Sequence, residues 1–140
     1  MSDSYDGYIP GNYNSGAKEN QVVAINRPCE FLYAALFNDG GAALYLWVLD
    51  RTTLIGGDGQ ARPVCTPVQV PAGSTGWIDR SMVPRRMSMG IVIVASTTSV
   101  TPTLSATNDA WIECTFRIPL PPRPPPPPAP ANQATPQSTK

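Results

Sequence analysis

Histidine is absent from the 140-residue sequence, and lysine occurs only at Lys18 and Lys140. Without histidine, the usual general base at neutral pH and the commonest metal ligand are both missing. The carboxylates Asp50, Asp58 and Asp79 fall on loops or strand ends, and nothing in their spacing pairs them for acid–base work. The glycine-rich stretch Gly56-Gly57-Asp58-Gly59 has neither the lysine of a phosphate-binding loop nor an alternating series of calcium ligands. Cys29, Cys65 and Cys114 are an odd number at wide spacing, which does not make a zinc set. We read them as small buried hydrophobic residues. The expectation is a protein that is not an enzyme, with no catalytic residue, no metal and no cofactor.

Charge is scarce as well. Charged residues make up 14% of the chain, against about 25% in a typical soluble domain. Ten basic and ten acidic residues cancel. Such a balance argues against nucleic acid as a partner and against a polybasic membrane anchor. No apolar run approaches the about 18 residues that a membrane-spanning helix needs. The first residues, Met-Ser-Asp-Ser-Tyr-Asp, are acidic where a signal peptide is basic and then apolar, so synthesis in a cytosol without export is expected. A surface this poor in charge suits a protein that other molecules cover.

What is present is a series of short apolar segments. The central one is 42–50, in which Leu44, Leu46 and Val48 face one way and Tyr45, Trp47 and Leu49 the other. Both faces are apolar, so a strand here must be covered on both sides. In a two-layer sandwich one of those faces points outward, which makes Tyr45 and Trp47 candidate contacts for another subunit or an arm. Segment 29–37 places Phe31, Tyr33 and Phe37 on one face and Leu32, Ala34 and Leu36 on the other. The short turn Asn38-Asp39-Gly40-Gly41 between them predicts an antiparallel hairpin.

Further strands are expected at 21–26, 64–70, 75–80, 87–96, 100–107 and 110–117, with Pro67 and Pro102 marking edge positions. Gly90 suggests a bend or a close approach, and in the last segment Trp111, Glu113 and Thr115 alternate with Ile112, Cys114 and Phe116. Eight short strands separated by turn signals, with no helical period, predict an all-β antiparallel two-sheet sandwich over residues 20–118, of jelly-roll type.

Two extended arms flank it. Residues 1–19 are broken by Gly7, Pro10, Gly11 and Gly16 yet carry Tyr5, Tyr8 and Tyr13, candidate anchors on a neighbour. Residues 119–140 open with a proline run that imposes polyproline II and spans about 37 Å over 119–130. Pro119, Pro122 and Arg123 are its candidate contacts. Arg117 and Arg123 do not stand where SH3-type ligands place arginine, so a rigid arm on a neighbouring subunit is favoured over a signalling ligand. Arg85 and Arg86 form the best basic cluster, and arginine is enriched at interfaces.

Four runs carry a family resemblance: 33–38 followed by 42–50; Val70-Pro71-Ala72-Gly73-Ser74; the strand 90–98; and 106–112 leading into the last strand. Over residues 28–117 they resemble small β-sandwich virion proteins of tailed bacteriophages. The length and the all-β core with extended ends are similar to the head decoration, or cement, proteins of that group. That resemblance implies a jelly roll on the outer surface of an icosahedral shell, made in the bacterial host cytoplasm. It implies two partners: the major capsid protein, whose adjacent copies it clamps, and further copies of itself in a symmetric oligomer, with a homodimer favoured over a trimer. Neither arm belongs to the recognisable pattern. The competing reading is a tail or fibre component that recognises a host surface glycan through Trp and Asp on loops.

Overall fold

The computed structural model describes residues 8–56, 62–82, 86–105, 107–120 and 126–128. Among these, β1 (Tyr8–Asn14), β2 (Gln21–Ile25), β3 (Cys29–Asn38), β4 (Leu44–Leu49), β5 (Val68–Val70), β6 (Thr75–Asp79), β7 (Arg86–Met87), β8 (Ile91–Ser96) and β9 (Ala110–Pro119) form two antiparallel sheets. The first runs β1-β9-β3-β6, with β7 also beside β3; the second runs β2-β8-β4-β5. The pairs are nested in the chain: β1 with β9, β2 with β8, β3 with β6, β4 with β5. One long ribbon of paired strands is thus rolled so that successive pairs fall in alternate sheets, which is the jelly-roll connectivity.

The sheets bury a common core. Phe31, Leu36, Leu46, Val48, Ile78, Ile93, Ile112 and Phe116 all belong to it. Alternation in β9 sends Ala110, Ile112, Cys114 and Phe116 inward and leaves Trp111 and Glu113 exposed. β3 departs from the simple pattern. A bulge between Phe31 and Tyr33 shifts the register against β9, so Phe31 shares the inner face with Ala34 and Leu36, not with Tyr33 and Phe37.

The expected hairpin between β3 and β4 does not form, because the two strands lie in different sheets. Asn38, fully buried, turns the chain over. Its amide donates to the carbonyls of Ala42 at 2.7 Å and Val70 at 3.0 Å, and its carbonyl oxygen accepts from Gly40 N. The β5–β6 crossing is tied to the same residue: Asn38 N donates to Ser74 O, and Gly73 N, at a φ of 75°, donates to Asn38 O. The left-handed backbone at Gly73 is one that other residues adopt with strain.

Three other boundaries move. Residues 8–14, expected in a free arm, are the edge strand β1, so the sheet starts well before residue 20. Pro10 is tolerated there because an edge strand leaves alternate N–H groups unpaired. Gly11 lies against the ring of Phe116, which an added Cβ would strike. Pro119, expected to open the proline arm, still belongs to β9, opposite Tyr8. The 87–96 segment splits at Ser88-Met89-Gly90 into β7 and β8, in different sheets.

The described residues of segment 100–107 form no strand and make one bridge, from Leu104 to Ser96. Its serines and threonines bond locally instead. Ser96 Oγ donates to Thr98 O and accepts from Thr98 N and Thr103 N, an alternative to a sheet ladder.

Candidate functional site

The second apolar face of β4 is covered by its own chain. Trp47 is 1% exposed and packs with Leu49, Ile55, Val92 and Val94, while Val23, Tyr45 and Leu104 close the margins. The loop after β4 supplies Ile55, whose backbone is gripped by the Gln21 amide at both N–H and C=O. The loop after β8 supplies Leu104, and its Thr98 carbonyl accepts from Trp47 Nε1 at 3.0 Å. This corrects the assignment of Trp47 as a partner contact: its indole is a core group. Tyr45 is half-buried on the same cluster.

The remaining sequence candidates fall as follows. Tyr8 lies at the start of β1 with the Arg117 guanidinium 4.1 Å from its ring centroid. Arg117 in turn pairs with Glu30, which Arg80 approaches at 3.5 Å. Pro119 is opposite Tyr8, and Arg86, exposed on β7, is opposite Glu30. Tyr8, Pro119 and Arg86 are therefore brought to one end of the sheet. Tyr13 is elsewhere, half-buried, its hydroxyl donating to Glu19 at 3.0 Å. Burial, then that bond and the Glu19 charge, raise its pKa. Tyr5, Arg85, Pro122 and Arg123 lie outside the described residues.

The surface that reasoning from sequence missed is the outer face of the five-stranded sheet. Across β9, β3 and β6, one row reads Trp111, Phe37, Thr75 and the next reads Glu113, Ala35, Trp77. Trp77 is 54%, Trp111 41% and Phe37 37% exposed. Around Ala35 the aromatics leave a shallow depression of about 220 Å³, lined by Asn14, Tyr33, Phe37, Trp111 and Glu113 among others. An adjoining one of about 360 Å³ shares Thr75 and runs past Trp77 to Met82. The signal was available: Trp111 and Trp77 each stand out of phase with buried neighbours in their strands, Ile112 and Ile78.

The ionisable groups are engaged in structure. Asp50 accepts from the amides of Ser88, Met89 and Gly90 at 2.8 to 3.2 Å and from the Ser88 hydroxyl. Burial alone would raise its pKa, but these four donors outweigh it and hold the carboxyl below its ordinary value. The Ser81 hydroxyl and amide lower Asp79. Lys18 reaches Asp39 at 2.9 Å, and that bond raises its pKa.

All three cysteines are free thiols. Burial pushes Cys29 up to about 11 and raises Cys65, and it raises Cys114 further still. Thiols held protonated in this way are poor nucleophiles and poor ligands. Among the described residues, no group of three His, Cys, Asp or Glu side chains is placed to hold a metal ion.

What this arrangement offers is contact area: an aromatic sheet face on one side, and the exposed apolar residues Leu54, Met89 and Val100 on loops elsewhere. Comparison with family models, with curated proteins and with solved structures finds no match to this chain.

Proposed function

We propose that the chain is a non-enzymatic structural protein of a phage particle, which sits on the outside of an icosahedral shell and holds adjacent major capsid proteins together. The observation that carries this reading is the exposed aromatic face of the five-stranded sheet, on which Trp77, Phe37 and Trp111 stand on adjoining strands. Leu54, Met89 and Val100 are exposed singly on loops. A protein that spends its life covered tolerates an apolar face and a surface with few charges. Each copy bound across a seam adds its own binding free energy, so many modest contacts stabilise a shell without any chemistry.

The test is sedimentation of the purified chain with shells that lack it. The proposal expects saturation at a copy number that follows the shell's symmetry, with hundreds of copies per particle. A handful of copies, or none, would sink it. A second reading has one observation in its favour. Trp77 and Trp111 side chains on a flat sheet face could stack against the apolar face of a sugar ring, as a tail or fibre protein recognising a host glycan would require. Binding in a glycan screen, abolished by Trp77→Ala, together with low copy number would favour that alternative.

A further inference from the structure

Trp111 and Phe37 stand side by side on neighbouring strands, and Trp77 lies one strand further over and two residues along. Strands are about 4.8 Å apart and residues rise about 3.4 Å, so the Trp111–Trp77 diagonal spans about 12 Å. Polyproline II rises about 3.1 Å per residue, so about four residues of it cover that diagonal. Aromatic-lined grooves are the usual receptors for such segments. The segment is stiff before it binds, and its carbonyls, which have no internal partners, accept from indole N–H groups.

The chain carries a segment of this kind. Nine of the twelve residues 119–130 are proline, and Arg123 is their one charge. The segment leaves the sheet at the end far from the aromatics: Trp111 is near the start of β9, and Pro119 is its last residue, about 27 Å along the strand. Folding back onto its own face would need a reversal within the prolines. From residue 117 onward there is no glycine to make one, and each residue before a proline is held extended. Pro126, Pro127 and Pro128 are exposed. The sequence of this segment, which spans about 37 Å if it is polyproline II throughout, thus favours the face of another copy over its own. The aromatic face offers it Glu113, exposed among the aromatics and opposite in charge to Arg123.

We propose that segment 119–130 of one copy lies across the Trp111–Phe37–Trp77 face of a second copy, and that two copies exchange these arms reciprocally. Reciprocal exchange makes a closed, isologous pair in which each subunit contributes one arm and one face. The contact is between copies of this chain and stands or falls in solution, whatever the pair is bound to.

The experiment uses the full chain and two full-length variants in sedimentation equilibrium. In the face variant, Trp77 and Trp111 become serine. In the arm variant, Pro121, Pro122 and Pro124 to Pro128 become serine. The wild-type chain is expected to dimerise, and each variant alone to associate at least about tenfold more weakly. An equimolar mixture of the two variants is expected to recover a one-to-one complex, because one supplies an intact arm and the other an intact face. A synthetic peptide of residues 119–130 should change the tryptophan fluorescence of the wild-type chain saturably and dissociate its dimer. A wild-type chain that stays monomeric and ignores the peptide overturns the proposal. So does a face variant that dimerises normally, or a mixture that fails to associate, as expected if two faces simply met. Should the face variant misfold, the peptide titration on the wild-type chain decides alone.

Discussion

Two single side chains hold this sandwich together in opposite ways, Trp47 through apolar burial and Asp50 through hydrogen bonds. Trp47 fills the space between the outer face of the second sheet and the loops that close over it. Trp47→Ala should cost about 3–5 kcal/mol, the usual range for an emptied aromatic site. Trp47→Phe should cost less, chiefly the bond to Thr98 O, about 1 kcal/mol. Urea unfolding of the three proteins checks both values.

Asp50 gathers three successive amides at the break between β7 and β8. Replacing it with asparagine should lower stability at neutral pH by about 1–3 kcal/mol, because the side-chain nitrogen that replaces one carboxylate oxygen cannot accept and the charge that the backbone amides hold is gone. Its pKa is depressed in the folded chain from an ordinary value of 3.8. The stabilisation is therefore fully present above that value and fades as pH falls through the lower, folded one. The gap between the wild type and Asp50→Asn should stay constant from neutral pH to about 5 and narrow below about 4. A gap that does not change with pH would show that the carboxylate charge is not what the amides hold.

At the scale of the element, the edge strand β1 depends on a close approach. Gly11 lets the backbone of β1 lie against the Phe116 ring. Gly11→Val should cost about 1–3 kcal/mol by overpacking. It should expose the amides of β1 to hydrogen exchange while those of β8 stay protected.

The same strand shows why part of the fold was hidden in the sequence. Its Gly, Pro and Asn residues carry little strand propensity, so it reads as an arm; only pairing with β9 makes it a strand. Alternation in β9 was legible, since Ile112, Cys114 and Phe116 keep strict phase. β3 was half legible, because a one-residue bulge at Phe31–Tyr33 leaves no mark in composition yet reverses which aromatics point inward. The turn at 38–41 has hairpin chemistry, but the buried amide of Asn38 uses it to change sheets. Of the candidate contacts, Trp47 was misplaced because a doubly apolar strand does not say whether its outer cover is a partner or its own loops. The exposed Trp77 and Trp111 could have been found from phase alone.

Over the whole molecule, the contrast is between a well-packed interior and an exterior that leaves large apolar side chains open. Among the described residues, the buried polar ones are Ser15, Asn38 and Ser96. Each of them makes hydrogen bonds. The exterior, by contrast, leaves Trp77, Trp111, Met89 and Val100 open. Replacing Trp77 and Trp111 together should leave unfolding free energy within about 0.5 kcal/mol of wild type for each, as for other surface changes. Association is the property that should change.

The proposed role is tested most directly on the particle itself, by imaging shells assembled with and without this protein and heating both. If the chain is a cement protein, shells that carry it show added density on the outer surface across the seams between capsid proteins, and they rupture at a higher temperature than bare shells. Shells that show no added outer density and fail at the same temperature with or without the protein would contradict that role.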